Sequence, residues 1–205
     1  MMASATKKRL GILLSGRGSN FIAIADNIAA GKLNAEIGVV ISNRAEAPGI
    51  EVARQRRLNA QVIPSKGRGR EEHDTAVIAA LKAVKVDLVI LAGYMRLLSP
   101  DFIHAFPQQI LNIHPSLLPA FPGLDAQRQA LEYGVKITGC TVHFVDEHLD
   151  HGPIIVQRTV PVLATDTVDT LSARILKEEH VAYSEGIQKV VNGQCVIDGR
   201  RVTVK

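Results

Sequence analysis

An α/β fold with a mostly parallel, twisted sheet and helices on both faces is what this sequence predicts, on three observations. Short apolar runs alternate with longer stretches at helical spacing through the first half of the chain, the pattern of repeated strand–helix units. The runs at 10–14, 37–41 and 88–92 are apolar almost throughout, as strands buried on both faces are. Aromatic residues make up only 4% of the 205 residues and Trp is absent, so the core is built from Val, Ile, Leu and Ala, which suits a helix-covered parallel sheet. Toward the C-terminus the pattern predicts an antiparallel strand and a terminal hairpin.

In order, a first strand is expected over 9–15, followed by the tight loop Gly16-Arg17-Gly18-Ser19 and a helix over 20–30 with Phe21, Ile22, Ile24, Ala25 and Ile28 inward. Gly31 closes that helix. A second strand over 36–42, a helix over 50–58 and a third strand over 60–64 follow. A basic, Gly-rich loop leads to a helix over 71–84, with acids in its first turn and Ala76, Val77, Ala80, Leu81 and Val84 at helical spacing. The fourth strand spans 88–92. A short helix precedes a strand over 110–114, which Pro115 ends because proline has no N–H to donate. A helix over 125–133, a strand over 137–145 and a strand over 154–160 come next. The last two are antiparallel, since the loop between them is too short for a crossover. A long amphipathic helix covers 167–191, and a hairpin turns at Asp198-Gly199.

Hydrophobic residues at 46% and charged residues at 21% describe one globular domain over 1–205, with ample material for a core. The net charge of +4 is too weak to argue for nucleic acid and fits an anionic small substrate. Two distant cysteines, Cys140 and Cys195, make no disulfide framework, so a reducing cytoplasm is expected. The apolar run after Lys7-Lys8-Arg9 is too short for a signal peptide, and no stretch approaches a membrane span.

Leu111-Asn112-Ile113-His114-Pro115 carries the chemistry. Side chains alternate along a strand, so Asn112 and His114 share one face at the strand's carboxyl end, where ligands of open α/β sheets bind. Buried polar groups normally find partners, so satisfaction by loop backbone is the alternative. Gly16-Arg17-Gly18-Ser19-Asn20 lies between a strand and its helix. Its glycines and the free N–H groups of the helix N-terminus suit a single phosphate; the plain alternative is a tight turn with Ser19 or Asn20 as cap. No Lys-Ser/Thr follows, and the third glycine of a dinucleotide fingerprint is missing. The loop 146–153 is dense in ionisable groups. Asp150 there is a candidate to hold His114 protonated and oriented. His148, Asp150 and His151 form an alternative metal-binding set, and a solvated loop is the third reading. Arg70 follows a strand end and could face an acidic ligand tail. Tyr94-Met95-Arg96-Leu97-Leu98 also follows a strand end; it either lines a flat-ring pocket or packs beneath the next helix.

These pieces resemble the phosphoribosylglycinamide formyltransferase (GAR transformylase) family of the folate-dependent formyltransferase superfamily, over nearly the whole chain. Ser-Gly-x-Gly-Ser-Asn stands at 15–20, Ala-Gly-Tyr-Met-Arg-Leu-Leu-Ser-Pro at 92–100, Asn-Ile-His-Pro-Ser-Leu-Leu-Pro at 112–119, Pro-Gly at 122–123, Leu-Asp-x-Gly-Pro at 149–153 and Glu-His at 179–180. The resemblance implies a Rossmann-like formyltransferase fold and formyl transfer from 10-formyltetrahydrofolate, a co-substrate, to glycinamide ribonucleotide in purine synthesis. It implies Asn112, His114 and Asp150 as the catalytic set, and Gly18, Ser19 and Asn20 on the ribonucleotide phosphate. Glu179 would meet the glycinamide end, and Arg70, Met95, Arg96, Leu97, Leu98 and Asn112 the folate. The N-terminal half would thus serve the ribonucleotide, and the C-terminal half the folate and the chemistry. No metal, nucleic acid or membrane is implied, and the chain would act as a monomer or homodimer. Arg17 and His151 depart from the smaller residues usual at their positions.

The implied chemistry is acyl transfer with the substrate amine as nucleophile, so no catalytic Ser or Cys is required. Asn112 and a protonated His114 would stabilise the oxyanion. Three rivals remain. A formyltetrahydrofolate hydrolase would use the same three residues with water, but that family carries an extra N-terminal domain, and here the first strand begins by residue 9. A methionyl-tRNA formyltransferase needs a second domain. A non-catalytic NADP-binding module would use the glycine loop and Arg44, leaving Asn112 and His114 unexplained.

Overall fold

A computed structural model describes residues 7–205, which divide into two compact units, one ending at Gln109 and the other beginning at Ile110. In the first unit β1 (Lys8–Leu14), β2 (Ala35–Ser42), β3 (Ala60–Val62) and β4 (Leu88–Leu91) pair in the order β3-β2-β1-β4. Every pairing in that series is parallel. The apolar runs form its core, with Leu10, Ile12, Leu13, Leu14, Val39, Val40, Ile41, Val89 and Ile90 fully buried. Strand β3 is shorter than the expected 60–64. The Ile63 N–H still reaches the Ser42 carbonyl at 2.9 Å, but Pro64 has no N–H to continue the ladder.

The helices of this unit are α1 (Ser19–Ala29), α2 (Pro48–Gln55), α3 (Arg70–Ala83) and α4 (Pro100–Ala105). Helix α2 starts and ends earlier than its apolar pattern suggests. Pro48 occupies the first turn, where its missing N–H costs nothing, and Arg57 takes a left-handed backbone conformation with φ 58° just past the end. On α1 the fully covered positions are Asn20, Phe21, Ile24 and Ala25, while Ile22 and Ile28 are only half-buried. On α3 the expected stripe at Val77 and Leu81 extends one turn back, to buried His73 and Asp74. Asp74 Oδ2 accepts the Ser99 N–H at 2.6 Å, and His73 Nε2 lies 2.8 Å from the Tyr94 hydroxyl.

The second unit pairs β5 (Ile110–His114), β6 (Ile137–Phe144) and β7 (Ile154–Pro161) antiparallel. The antiparallel part therefore includes the 110–114 strand, whose direction relative to its successor a linker carrying α5 (Ala126–Tyr133) does not decide. Helix α6 (Val168–Val191) begins with a Thr167–Thr170 capping box, which satisfies two otherwise orphaned groups. It runs close over β6: a Cβ on Gly186 would lie 2.8 Å from Val142 Cγ1. Buried Tyr183 donates its hydroxyl to the Leu111 carbonyl at 2.9 Å, tying α6 to β5. The hairpin β8 (Cys195–Asp198) and β9 (Arg201–Val204) turns at Gly199-Arg200, one residue later than the pattern suggests. No helix among the described residues is long and apolar enough to cross a membrane.

Candidate active site

In the first unit the carboxyl ends of the parallel strands are tied together by a polar cluster. The buried Ser15 hydroxyl donates to Asn43 Oδ1 at 2.6 Å and accepts the Met95 N–H at 2.8 Å, and Asn43 Nδ2 donates to the Ser65 hydroxyl at 3.1 Å. The loops after β1, β2, β3 and β4 are thereby held in register. Gly18, with φ 69°, is the N-cap of α1, and its carbonyl accepts the Ile22 N–H at 2.9 Å. Neither Ser19 nor Asn20 is the cap, as the plain turn reading requires: Ser19 opens the helix after Gly18. A Cβ at Gly18 would sit 3.2 Å from Leu14 Cδ2 and 3.3 Å from Gly49 Cα, so the loop is packed down against its neighbours.

Arg70, Met95, Arg96 and Leu97, with Glu71, line one cavity of about 510 Å³. Leu98 is half-buried beside it and not part of the lining. Met95 and Leu97 are 63% and 59% exposed, unusual for large apolar groups on two neighbouring loop positions, and Arg96 Nε is buried without a partner among the described residues. Apolar surface beside an unsatisfied donor suits a flat ring bearing polar edges.

In the second unit Asn112 and His114 share a face of β5, as their spacing requires. The β5–β6 register sets His143 opposite Asn112, and β6 shifts its register against β7 between Val142 and His143, a device that re-aims side chains. His143 Nδ1–H donates to the Phe144 carbonyl at 2.8 Å. Burial pushes the His143 imidazole below the ordinary histidine range, so the ring is neutral and Nε2 is a bare acceptor. Asn112 must therefore present its NH₂ to that nitrogen, at 3.3 Å. This orients the amide and leaves its second N–H available.

His114 is 5% exposed. Its Nε2–H donates to the Phe121 carbonyl at 2.8 Å, and its Nδ1 lies 3.3 Å from Asp150 Oδ2. A carbonyl only accepts, so Nε2 carries a proton; a second proton must lie between Nδ1 and the carboxylate, or two lone pairs would face each other. Asp150 also accepts the Gly123 N–H at 2.8 Å, and its other oxygen is 3.8 Å from His143 Nε2. Asp150, with φ 50°, is turned in by its loop. Gly152 allows this, because a Cβ there would be 1.9 Å from the Phe144 carbonyl oxygen. The turn that supplies Phe121 and Gly123 is fastened to β6 and β7: Thr141 Oγ1 accepts the Leu118 N–H at 3.0 Å and donates to the Ser116 carbonyl at 2.7 Å, while Gln157 Nε2 donates to the Leu118 carbonyl at 2.9 Å.

Glu179 stands on the buried face of α6, 8% exposed. Burial, then the charges of Glu179 and Glu178, push the nearby Cys140 thiol up to about 12, so that thiol stays protonated and inert. The loop 146–153 divides differently from the metal set His148, Asp150 and His151. Asp150 is buried toward His114, and Asp146 joins His148 and His151 in its place. Two buried groups escaped the sequence reading. His143 needs the strand register to find it; His73 was visible as i−4 from Val77.

The Formyl transferase family matches residues 8–187. The chain is 41% identical to the phosphoribosylglycinamide formyltransferase of Escherichia coli, over 93% of this chain and 94% of that one. It is 45% identical over 96% of its length to the trifunctional purine biosynthetic protein adenosine-3 of Drosophila melanogaster, of which it spans only 15%. Among solved structures, glycinamide ribonucleotide transformylase 1 from Symbiobacterium toebii superposes with a TM-score of 0.97 at 51% identity, covering 100% of this chain and 97% of that one. A formyltetrahydrofolate deformylase from Pseudomonas syringae superposes at 0.93 with 27% identity, covering 98% of this chain and 67% of that one. The fold is thus the mixed, mostly parallel α/β fold of these enzymes, with a C-terminal hairpin, and the chain belongs to the formyl transferase family.

Proposed function

We propose that the chain transfers the formyl group of 10-formyltetrahydrofolate to the amine of glycinamide ribonucleotide, a step of purine synthesis. One observation carries this reading: the buried His114 imidazole hydrogen-bonds a carbonyl on one side and faces the Asp150 carboxylate on the other, with Asn112 on the same face of its strand. The first unit contributes the phosphate-binding turn at Gly18, Ser19 and Asn20, supported by the left-handed glycine at the N-cap of α1. Arg70, Met95, Arg96, Leu97 and Leu98, with Asn112, contact the folate, supported by the apolar, partly unsatisfied cavity that four of them line. Glu179 meets the glycinamide end. The phosphate-binding turn thus lies in the N-terminal half and the catalytic set in the C-terminal half, with folate contacts drawn mainly from the former and Glu179 from the latter. The reaction runs in a reducing cytoplasm, in keeping with two unpaired cysteines.

The amine nitrogen attacks the formyl carbon and the carbonyl oxygen gains negative charge. The free N–H of Asn112 and the Nε2–H of His114, released from the Phe121 carbonyl, receive that oxygen, the type of stabilisation that contributes most in acyl transfer. Asp150 keeps the proton on Nδ1. The carbon–N10 bond then breaks. The proton lost by the attacking nitrogen balances the one N10 takes up, and His114 moves it, through water, as general acid. No step requires a metal.

Turnover of glycinamide ribonucleotide with 10-formyltetrahydrofolate in metal-free buffer tests the reading. The formylated ribonucleotide is the expected product, with inorganic phosphate competing against the ribonucleotide and not the folate. A hydrolase releases formate without the ribonucleotide; that result would replace this reading by the deformylase one.

A further inference from the structure

We propose that Asp146, His148 and His151 form a binding site for a divalent first-row transition metal, and that the bound ion slows turnover through Asp150. One donor atom from each of the three residues lies within 4.8 Å of the other two. The site is already partly organised. Asp146 Oδ1 accepts the His148 N–H at 2.9 Å, Asp146 Oδ2 lies 2.9 Å from His151 Nδ1, and the two imidazole rings are 5.1 Å apart. An anionic carboxylate with two imidazoles is a donor set that zinc, copper and nickel prefer over calcium or magnesium. His148 and His151 are also half-exposed or more, which leaves an ion a direct path.

Arg200, on the β8–β9 turn, is the competing cation. Its Nη1 donates to His151 Nε2, so the metal-free ring carries its proton on Nδ1, toward Asp146. An ion at either ring nitrogen displaces this arrangement. At Nδ1 it replaces the proton, which then moves to Nε2 and leaves Arg200 facing another donor. At Nε2 it takes the guanidinium's place. In both cases Arg200 loses its acceptor on His151, and its charge opposes binding as well.

The consequence for catalysis rests on the function proposed above. His148 and His151 flank Asp150 in the chain, two residues before and one residue after. Zinc–nitrogen bonds of about 2.0–2.1 Å in a tetrahedral site need donors about 3.4 Å apart. Drawing donors together from as far as 4.8 Å pulls on the backbone on both sides of a carboxylate set 3.3 Å from His114. Small displacements of such a group are costly to rate.

Zn²⁺ titration against a chromophoric chelator, with the full chain stripped of metal, tests binding without reference to activity. One saturable ion per chain is expected. His148→Ala and His151→Ala should each weaken it at least about tenfold, and Arg200→Ala should tighten it. Unchanged affinity in both histidine variants, tighter binding lost with Cys195→Ser instead, or no saturable binding would overturn the site. As a check independent of variants, the ring signals of His148 and His151 in a proton–nitrogen NMR spectrum should move on adding Zn²⁺; unmoved rings overturn it equally. Saturating Zn²⁺ should lower kcat at least fivefold in the parent chain, reversibly with chelator, and not in His148→Ala. Full-rate turnover by the zinc-loaded chain would refute the coupling to Asp150 while leaving the proposed formyl transfer intact.

Discussion

Replacing Asp150 with Asn removes one negative charge and almost nothing else. The amide oxygen can still accept the Gly123 N–H, now at 2.8 Å from Oδ2, and the NH₂ group then turns toward His143 Nε2, a bare acceptor that faces the other carboxylate oxygen at 3.8 Å. What is lost is the attraction between the carboxylate and the His114 imidazolium at 3.3 Å, about 5 kcal/mol at an effective dielectric of about 20. The neutral hydrogen bond that remains returns about 1 kcal/mol, and solvation of a less charged site offsets part of the rest. A net loss of about 2–4 kcal/mol follows, or a fall in kcat of roughly 30- to 1,000-fold at neutral pH. KM for the folate should change little, because the charge acts on the transition state. Steady-state kinetics at neutral pH, with melting temperature as a control for folding, checks this. An Asn variant with the parent melting temperature and more than half of the parent kcat would show that the carboxylate charge is not needed beside His114.

Two further outcomes follow from burial and backbone. His73, His143 and His180 all lie below the ordinary histidine range, burial being the first cause in each. The unfolded chain, with histidines near the unperturbed value of about 6.5, then binds more protons in the acid range. This contribution to stability is complete above about pH 6.5 and is lost as pH falls toward the depressed folded values, so the melting temperature should be lower at pH 5.5 than at pH 7.5; an equal or higher value at pH 5.5 would contradict the burial argument. Gly152→Ala puts a Cβ 1.9 Å from the Phe144 carbonyl oxygen, with the Asp146 nitrogen 3.4 Å away. Backbone must move, which should cost about 1–3 kcal/mol of stability and, by displacing Asp150, on the order of a hundredfold in kcat, read from thermal melts and initial rates; parental values for both would mean the loop does not seat Asp150 by this close approach.

Much of the chain was legible from local pattern. Side-chain alternation alone puts Asn112 and His114 on one face, and Pro115 ends their strand at His114, where β5 ends. The continuous apolar runs at 10–14, 37–41 and 88–92 became β1, β2 and β4, because a strand covered on both faces needs no alternation. Glycine at 18 suggests a close approach to a ligand; its packing against Leu14 and Gly49 carries no signal of its own. Helix ends were less legible, since Pro48 at the start of α2 and the left-handed Arg57 beyond its end carry no hydrophobic signal.

Other features are decisions of tertiary structure. The loop 146–153 offers Asp146 and Asp150 equally to any reader of composition, yet only Asp150 turns in to His114, and Asp146 stays with His148 and His151. That choice is made by a glycine that lets two backbones touch. His143 orients Asn112 only because β5 and β6 pair in one register, and a slip of one residue would point it to the opposite face. The partner of His114 Nε2 is a backbone carbonyl, Phe121, which every residue possesses and no sequence can single out. Periodicity is a property of neighbours along the chain; register, loop closure and the choice of a carbonyl are properties of segments brought together from far apart, where the packing of the whole selects among local options of nearly equal energy.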